Sequence, residues 1–306
     1  MRRLLILLGF VALLLSCAPA PQSPLLLTVN PWLGYDPFVL ARERGLLDPR
    51  VRIVELISNS DSRRALANGL SEATALTLDE ALRVADAGIP IQIVAVLDVS
   101  AGADAVLARP DIERLDQLRG KRIGVETGAV GSLMLARLLS AAGLSKDAVQ
   151  IVAVEASQHA AVLQSGRIDA VITFEPMRTQ LKRRGFPVLF DSRALPGEII
   201  DVLVVRPGLD AAPLIEAWRA GLAALERDPL AAAEVLARGV DLSVEEYQQA
   251  LSGLRFVSPQ ESARWLSGGA ASPLAEQAKA IVAELTQHGE LKRPPDWLAL
   301  LEGARR

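Results

Sequence analysis

Cysteine occurs once in this chain of 306 residues, and histidine twice. That scarcity excludes a disulfide framework and a cysteine-based zinc site. Two isolated histidines supply neither a histidine metal cluster nor the base of a serine-hydrolase triad. Lysine is also sparse, found at positions 121, 146, 182, 279 and 292. With 33 basic against 36 acidic residues and a net charge of −3, no basic face is left for nucleic acid as a main partner. Aromatic residues make up 4% of the chain, so each one outside a helical stripe is informative. What is plentiful is apolar side chain, at 50%. The length suits one large or two medium domains with a well-buried core. Composition alone leans toward a soluble α/β binding protein.

The first 17 residues read as an export signal. Met1-Arg2-Arg3 is a short basic opening, and Leu4 to Leu15 is almost wholly apolar. That run is too short to span a bilayer, which takes about 20 residues. Leu14-Leu15-Ser16-Cys17 resembles a lipobox and holds the chain's one cysteine. The resemblance implies that Cys17 is lipidated and becomes the first mature residue; the alternative is an ordinary signal peptide with an incidental cysteine. Residues 18–24, Ala-Pro-Ala-Pro-Gln-Ser-Pro, read as an extended tether. The expected product is exported and held to a bacterial membrane by acyl chains, facing the periplasm or the cell exterior.

From residue 25, strand-like runs alternate with helical patterns. Strands are predicted at Leu25–Val29, Val51–Ile57, Ala73–Thr77, Ile91–Leu97, Ala103–Ala108, Arg122–Glu126, Gln150–Glu155, Ala170–Phe174, Val188–Phe190 and Ile199–Val205. Many are continuous apolar runs, as in strands covered on both faces. The helical patterns between them mostly end in glycine. This alternation predicts an α/β fold of doubly wound parallel sheets. Residues 211–303 read as helices throughout, and Trp218, Trp265 and Trp297 within them read as packing residues.

Two segments resemble each other. Gly69-Leu70-Ser71-Glu72-Ala73 and Gly166-Arg167-Ile168-Asp169-Ala170 each precede a short strand, a threonine and then a carboxylate near a helix start. Two similar lobes follow: residues 25–106 plus 201–306, and residues 107–200. Two crossing strands, near Ala101–Ala105 and Asp201–Leu203, would form a hinge beside a cleft.

In open parallel sheets, ligands bind beyond the carboxyl ends of the strands, where helix N-termini point. That rule selects Trp32, Gly34 and Tyr35; Ser58, Asn59 and Ser60; Thr77 and Asp79; Asp98 and Ser100; Thr127, Gly128, Gly131 and Ser132; and Glu175, to which Asp201 is added as a cleft carboxylate at the second predicted crossing. Ser58–Ser62 is equally readable as N-capping, and Thr127–Ser132 as a plain helix start. Glu175 reads as ligand-facing, with Asp79 or Glu80 in the analogous place. Trp32 and Tyr35 flank Gly34 and read as an exposed aromatic wall. His159 and His288 read as surface helix residues.

Together, Trp32–Pro37, Leu76–Glu80, Asp98–Ser100, Leu115–Val125, Thr173–Pro176, Gly197–Val202 and the lipobox carry a wider likeness. The chain resembles the substrate-binding lipoproteins of ABC importers in the nitrate/sulfonate/taurine and thiamine-pyrimidine superfamily. The resemblance covers residues 25–225 well and the helical tail loosely. It implies a type II periplasmic-binding-protein fold, a monomer without cofactor or metal, and a hinged cleft. The cleft would trap a small molecule for a permease and its ATPase. Its anion-binding members imply nitrate or a sulfonate, yet no lysine lies in a predicted cleft loop. Arg63, Arg64 and Arg178 are the nearest cations, whereas Asp36, Asp61, Asp79, Glu80, Asp98, Glu175 and Asp201 crowd it. An aminopyrimidine-like or other amine-bearing ligand is the second expectation. Two rival roles remain open at this point: an enzyme of the same fold in pyrimidine or quinone-precursor synthesis, and a sensor docking on a membrane signalling protein.

Overall fold

The computed structural model describes residues 24–287, 289–293 and 295–301. The signal segment, Cys17, nearly all of the tether and His288 lie outside the described residues. No helix among the described residues is long and apolar enough to cross a membrane.

The first sheet holds β1 (Leu25–Val29), β2 (Val51–Glu55), β3 (Ala73–Thr77), β4 (Gln92–Ser100), β10 (Ile200–Val205) and β11 (Leu254–Phe256), in the order β11-β4-β10-β3-β1-β2. The second holds β5 (Asp104–Ala108), β6 (Arg122–Val125), β7 (Gln150–Ala153), β8 (Ala170–Phe174) and β9 (Val188–Asp191), in the order β7-β6-β8-β5-β9. Strands inside the sheets, such as β3, β5, β8 and β10, are buried along their whole length. That is why they read as unbroken apolar runs. The edge strand β2 buries Val51 and Ile53 and exposes Arg52 and Val54 instead.

The expectation of parallel sheets needs correction, because both sheets are mixed. β10 runs antiparallel to β3 and β4, and β5 runs antiparallel to β8 and β9. The cause is the chain crossing between lobes. β4 ends at Ser100 in one sheet and β5 starts at Asp104 in the other; β9 ends at Asp191 and β10 starts at Ile200. A strand that enters straight across the cleft arrives pointing away from it. The two crossings are clasped together. Ser192 Oγ lies 2.8 Å from Ser100 Oγ and accepts from Gly102 N at 2.6 Å. Gly102 sits at φ +124°, a conformation that a side chain would strain.

Helices cover both faces. In chain order they are α1 (Asp36–Glu43), α2 (Asn59–Ala67), α3 (Leu78–Asp86), α4 (Val130–Ala142), α5 (His159–Gln164), α6 (Met177–Arg183), α7 (Ala212–Arg227), α8 (Pro229–Leu236), α9 (Val244–Leu251), α10 (Pro259–Leu266), α11 (Pro273–Gln287) and α12 (Trp297–Leu301). The tail is helical as expected, apart from β11, which pairs antiparallel with β4. α7 to α12 wrap the first sheet. Trp218 is buried there against Phe38, 5.1 Å between ring centroids, and donates its Nε1–H to Val257 O at 2.9 Å. Trp265 and Trp297 pack against the neighbouring core.

Polar contacts join the lobes at both flanks of the cleft. Arg137 of α4 reaches Glu284 of α11 at 2.6 Å. On the other flank, Arg183 of α6 reaches Asp241 and Glu246 at 3.0 Å.

α1 and α7 touch through a glycine. A Cβ on Gly221 would stand 1.7 Å from Pro37 O. Gly221→Ala therefore forces the two helices apart, at a cost of about 2–3 kcal/mol. The expected result is a melting midpoint roughly 5–10 °C lower in a calorimetric scan.

Candidate functional site

The carboxyl ends of β1 and β3 and the start of β10 meet the start of β5 and the end of β8 across the cleft. Between them lies a small hollow of about 10 Å³, walled by Asn30, Trp32, Tyr35, Asn59, Thr77, Asp201, Asp104, Val130 and Phe174. A second hollow of the same size lies on the second-lobe side, where Asp104, Glu126, Gly131, His159 and Thr173 contribute. Each has room for about one water molecule. Outside, Pro31, Leu56, Ile57, Ser157 and Met177 form an apolar mouth of about 320 Å³, and Phe174 is the wall shared by mouth and hollows. Trp32 and Phe174, one from each lobe, meet edge to face with centroids 5.8 Å apart.

The antiparallel crossings deliver the central carboxylates. β10 runs backwards, so its first residues sit beside the last residues of its neighbours: Asp201 pairs with Thr77 and with Asp98. In the same way Asp104, first residue of β5, pairs with Phe174, last residue of β8. Tyr35 donates its hydroxyl to Asp201 Oδ1 at 2.5 Å.

The electrostatics follow from burial. Desolvation pushes Asp98 up to about 7, with the charge of Asp104 adding to it. Desolvation also pushes Asp104 up to about 7, helped by Asp79 and Glu175. Burial, and then the charge of Asp98, hold Asp201 well above the usual carboxylate range. Glu80 is raised to about 7 by burial and then by Asp79. It accepts from Asn59 Nδ2 at 2.9 Å and from Thr77 N at 3.1 Å. Glu126, raised by burial, accepts from Ser60 Oγ of the opposite lobe at 2.7 Å. No lysine or arginine lines either hollow among the described residues.

Of the residues selected from sequence, Trp32, Tyr35, Asn59, Thr77 and Asp201 line the central hollow, and Gly131 the second. Gly34 and Asp98 stand directly behind. A Cβ on Gly34 would meet Trp32 Nε1 at 2.2 Å and Asp98 Oδ2 at 2.4 Å, so only glycine fits between them. Ser60 bridges the lobes.

Others have different work. Ser58 accepts from Asp61 N as the N-cap of α2. Asp79 accepts from Thr77 Oγ1 at 2.7 Å and faces Arg83. Ser100 belongs to the crossing clasp. Thr127 is exposed, and Gly128 N donates to Ser132 Oγ, so the Gly-rich turn satisfies itself. Glu175 turns toward its own helix, accepting from Thr179 N, Thr179 Oγ1 and Arg178 Nη1.

Two orientations differ from expectation. Trp32 and Tyr35 form a buried wall, 5% and 1% exposed, because the second lobe closes over them. His159 is buried rather than superficial. Its Nδ1 lies 3.0 Å from Thr173 Oγ1 and its Nε2 lies 3.2 Å from Val154 O. A carbonyl can only accept, so Nε2 carries the proton. Burial lowers this histidine to about 4 and keeps it neutral. Asp104 was missed from the sequence. The signal that could have found it is its place within the first predicted crossing.

The fold is the type II periplasmic-binding-protein fold: two α/β lobes around a cleft, with a helical C-terminal region. A structure of the alkanesulfonate-binding protein SsuA from Xanthomonas axonopodis pv. citri, bound to MOPS, is similar with a TM-score of 0.76 and 18% identity, over 90% of this chain and 97% of that one. The ligand-binding component of an ABC-type import system from Staphylococcus aureus, solved with zinc bound, is similar with a TM-score of 0.74 and 14% identity, over 93% and 100% of the chains. A binding protein of Brucella abortus shares 32% identity over 80 residues; the match spans 26% of this chain and 25% of that relative. The family model described as NMT1/THI5 like matches residues 37–197, just over half of the sequence. The chain belongs to the NMT1/THI5-like family.

Proposed function

We propose that this protein is the solute-binding component of an ABC importer. In this reading residues 25–106 plus 201–306 and residues 107–200 act as two lobes that part, admit a small solute and close on it. Cys17 carries the lipid that holds the protein at the membrane, where it hands the solute to a permease driven by an ATPase. The observation that carries the proposal is the buried polar hollow walled by both lobes and bounded by two crossing segments. A hollow of about 10 Å³ admits no solute unless the lobes part, so binding and hinge motion are one event. His159 supports binding over catalysis, because both of its ring nitrogens are engaged and its proton is held away from the cleft by Val154 O. The similar proteins named above include an alkanesulfonate-binding protein and an import-system component, which favours an importer over a sensor.

The test pairs localisation with uptake. Wild-type protein is expected in the membrane fraction and Cys17→Ala in the soluble exported fraction. Deleting the gene is expected to abolish uptake of the solute that raises the protein's melting midpoint, and the wild-type gene restores it. A solute at 100 times its dissociation constant adds about 2.7 kcal/mol, or roughly 5–10 °C for a chain of this size. Uptake unaffected by the deletion would sink the importer reading.

A further inference from the structure

We propose that the interlobe hollow is a site for a small organic cation, a protonated amine or amidinium that presents several N–H donors at once. This rests on the reading that the hollow is the solute site, and it names the chemistry of that solute.

On the wall of the hollow Asn59 Oδ1, Asp104 Oδ2 and Asp201 Oδ2 are buried without a hydrogen bond among the described residues, and Asn30 Oδ1 adds a fourth. Their residues are between 1% and 4% exposed. These four atoms are acceptors, and Trp32 Nε1 is an unpartnered donor on the same wall. Other contacts fix the orientation of two of the acceptors. The Asn59 amide nitrogen is committed to Glu80, which leaves its oxygen toward the hollow. Asp201 Oδ1 is committed to the Tyr35 hydroxyl, which uses the tyrosine proton and leaves Oδ2 unpartnered beside the Asp98 carboxyl. Buried acceptors of this kind are costly unless a donor meets them.

The nearest cations, Arg63 and Arg178, do not line either hollow, and the charge of Arg63 acts on Glu80 and Glu126. Arg178 is bound to Glu175, and Arg63 donates to Ser60 behind the wall. A sulfonate or nitrate here would face a ring of acceptors. Trp32 Nε1 would offer it one donor, and the others would have to come from carboxyl groups that kept their protons. A cation instead donates charge-assisted hydrogen bonds to Asp104 and Asp201. It also lies beside the rings of Trp32 and Phe174, which favour positive charge over their faces.

The two alternatives have opposite pH dependence. Asp104 is faced by Ser100, Asp79 and Glu175, and Asp201 by Tyr35, Asp98 and Asp104; Asp98 is faced in turn by Trp32 and by Arg255 of β11. The carboxylates outnumber the one arginine, so the solute-free site holds protons toward neutral pH. A cation displaces them, and its affinity rises with pH. An anion needs them, and its affinity falls.

The experiment is titration calorimetry on the purified protein at pH 5.5 and pH 8. The cation probes are benzylammonium, acetamidinium and 4-aminopyridinium; the anion probes are methanesulfonate, ethanesulfonate and nitrate. The same titrations are run on Asp104→Asn and Asp201→Asn, with melting curves to show that both variants fold. The expected result is one-site binding of at least one cation, tightening about tenfold or more from pH 5.5 to 8. That binding weakens about tenfold or more in each variant. Cation binding that both variants leave unchanged overturns the assignment. An anion that binds more tightly at pH 5.5 overturns the cation while leaving the solute-binding reading in place. Failure of every probe, with no solute found by uptake, overturns both.

Discussion

The solute-free protein loses stability as pH rises from 5.5 to 8, the reverse of what salt-bridged carboxylates produce. Asp36 is held up to about 8 by burial, with Tyr247 donating to it at 2.5 Å. Glu80, Asp98 and Asp104 are held up to about 7. In the unfolded chain these groups titrate near 4. Across this window the native state therefore keeps protons that the unfolded state has released. Stability then falls with pH, by up to about 1.4 kcal/mol per pH unit for each group still protonated. His159 has the opposite sign. It is lowered to about 4 when folded, so acid below its unfolded value near 6.5 weakens the fold. One histidine against four carboxyl groups leaves the carboxyls in control. The net loss from pH 5.5 to 8 is on the order of 5 kcal/mol, or a midpoint roughly 10 °C lower or more. Melting curves across pH without added solute measure it. A midpoint that climbs toward pH 8 would show that the buried carboxylates are stabilised by something other than their protons.

The second large effect separates two tryptophans. Trp218→Ala is expected to cost about 3–5 kcal/mol. It empties the space between Phe38 and Phe256 and removes the donor to Val257 O. Solute affinity of whatever remains folded should be unchanged, because Trp218 does not line the interlobe hollow. Trp32→Ala is expected to cost much less stability, about 1–2 kcal/mol, since its ring partner Phe174 belongs to the other lobe. It removes a wall of the hollow, and affinity should drop about tenfold or more. Melting and calorimetry on both variants check this. Loss of affinity in folded Trp218→Ala, or intact affinity in Trp32→Ala, contradicts the placement of the site.

The fold was legible where local pattern decides structure. Continuous runs such as Ala170–Phe174 are strands, and glycine stops such as Gly143 and Gly166 end the α4 and α5 segments. Leu254–Phe256 was not legible, because three residues carry no period; only pairing with β4 makes them a strand. Strand direction was not legible either, because it is set by the chain's passage between lobes. Asp104 was lost with it: a rule that looks beyond carboxyl ends overlooks the first residue of an antiparallel strand. The site was half legible for a related reason. Trp32, Tyr35, Asn59 and Thr77 reach the hollow from the loop ends that the rule selects, and Asp201 from the start of β10. Glu175 sits in an equivalent position, yet its carboxylate turns back to Thr179 and Arg178. Sequence position does not distinguish a carboxylate that faces a cleft from one that caps its own helix. The burial of His159 under Thr173 and Val154 depends on neighbours folded from elsewhere in the chain.

The central claim is that a solute is held between the lobes, and hydrogen exchange read by mass spectrometry tests it most directly. The protein is compared with and without the solute that raises its melting midpoint most. The account predicts slowed exchange in both lobes at once: at residues 30–35, 58–62 and 77–80 of the first, and at 103–105, 126–131 and 173–176 of the second. Protection confined to one lobe, or centred on the groove between Val94, Trp218 and Pro259 at the back of the first lobe, would contradict it.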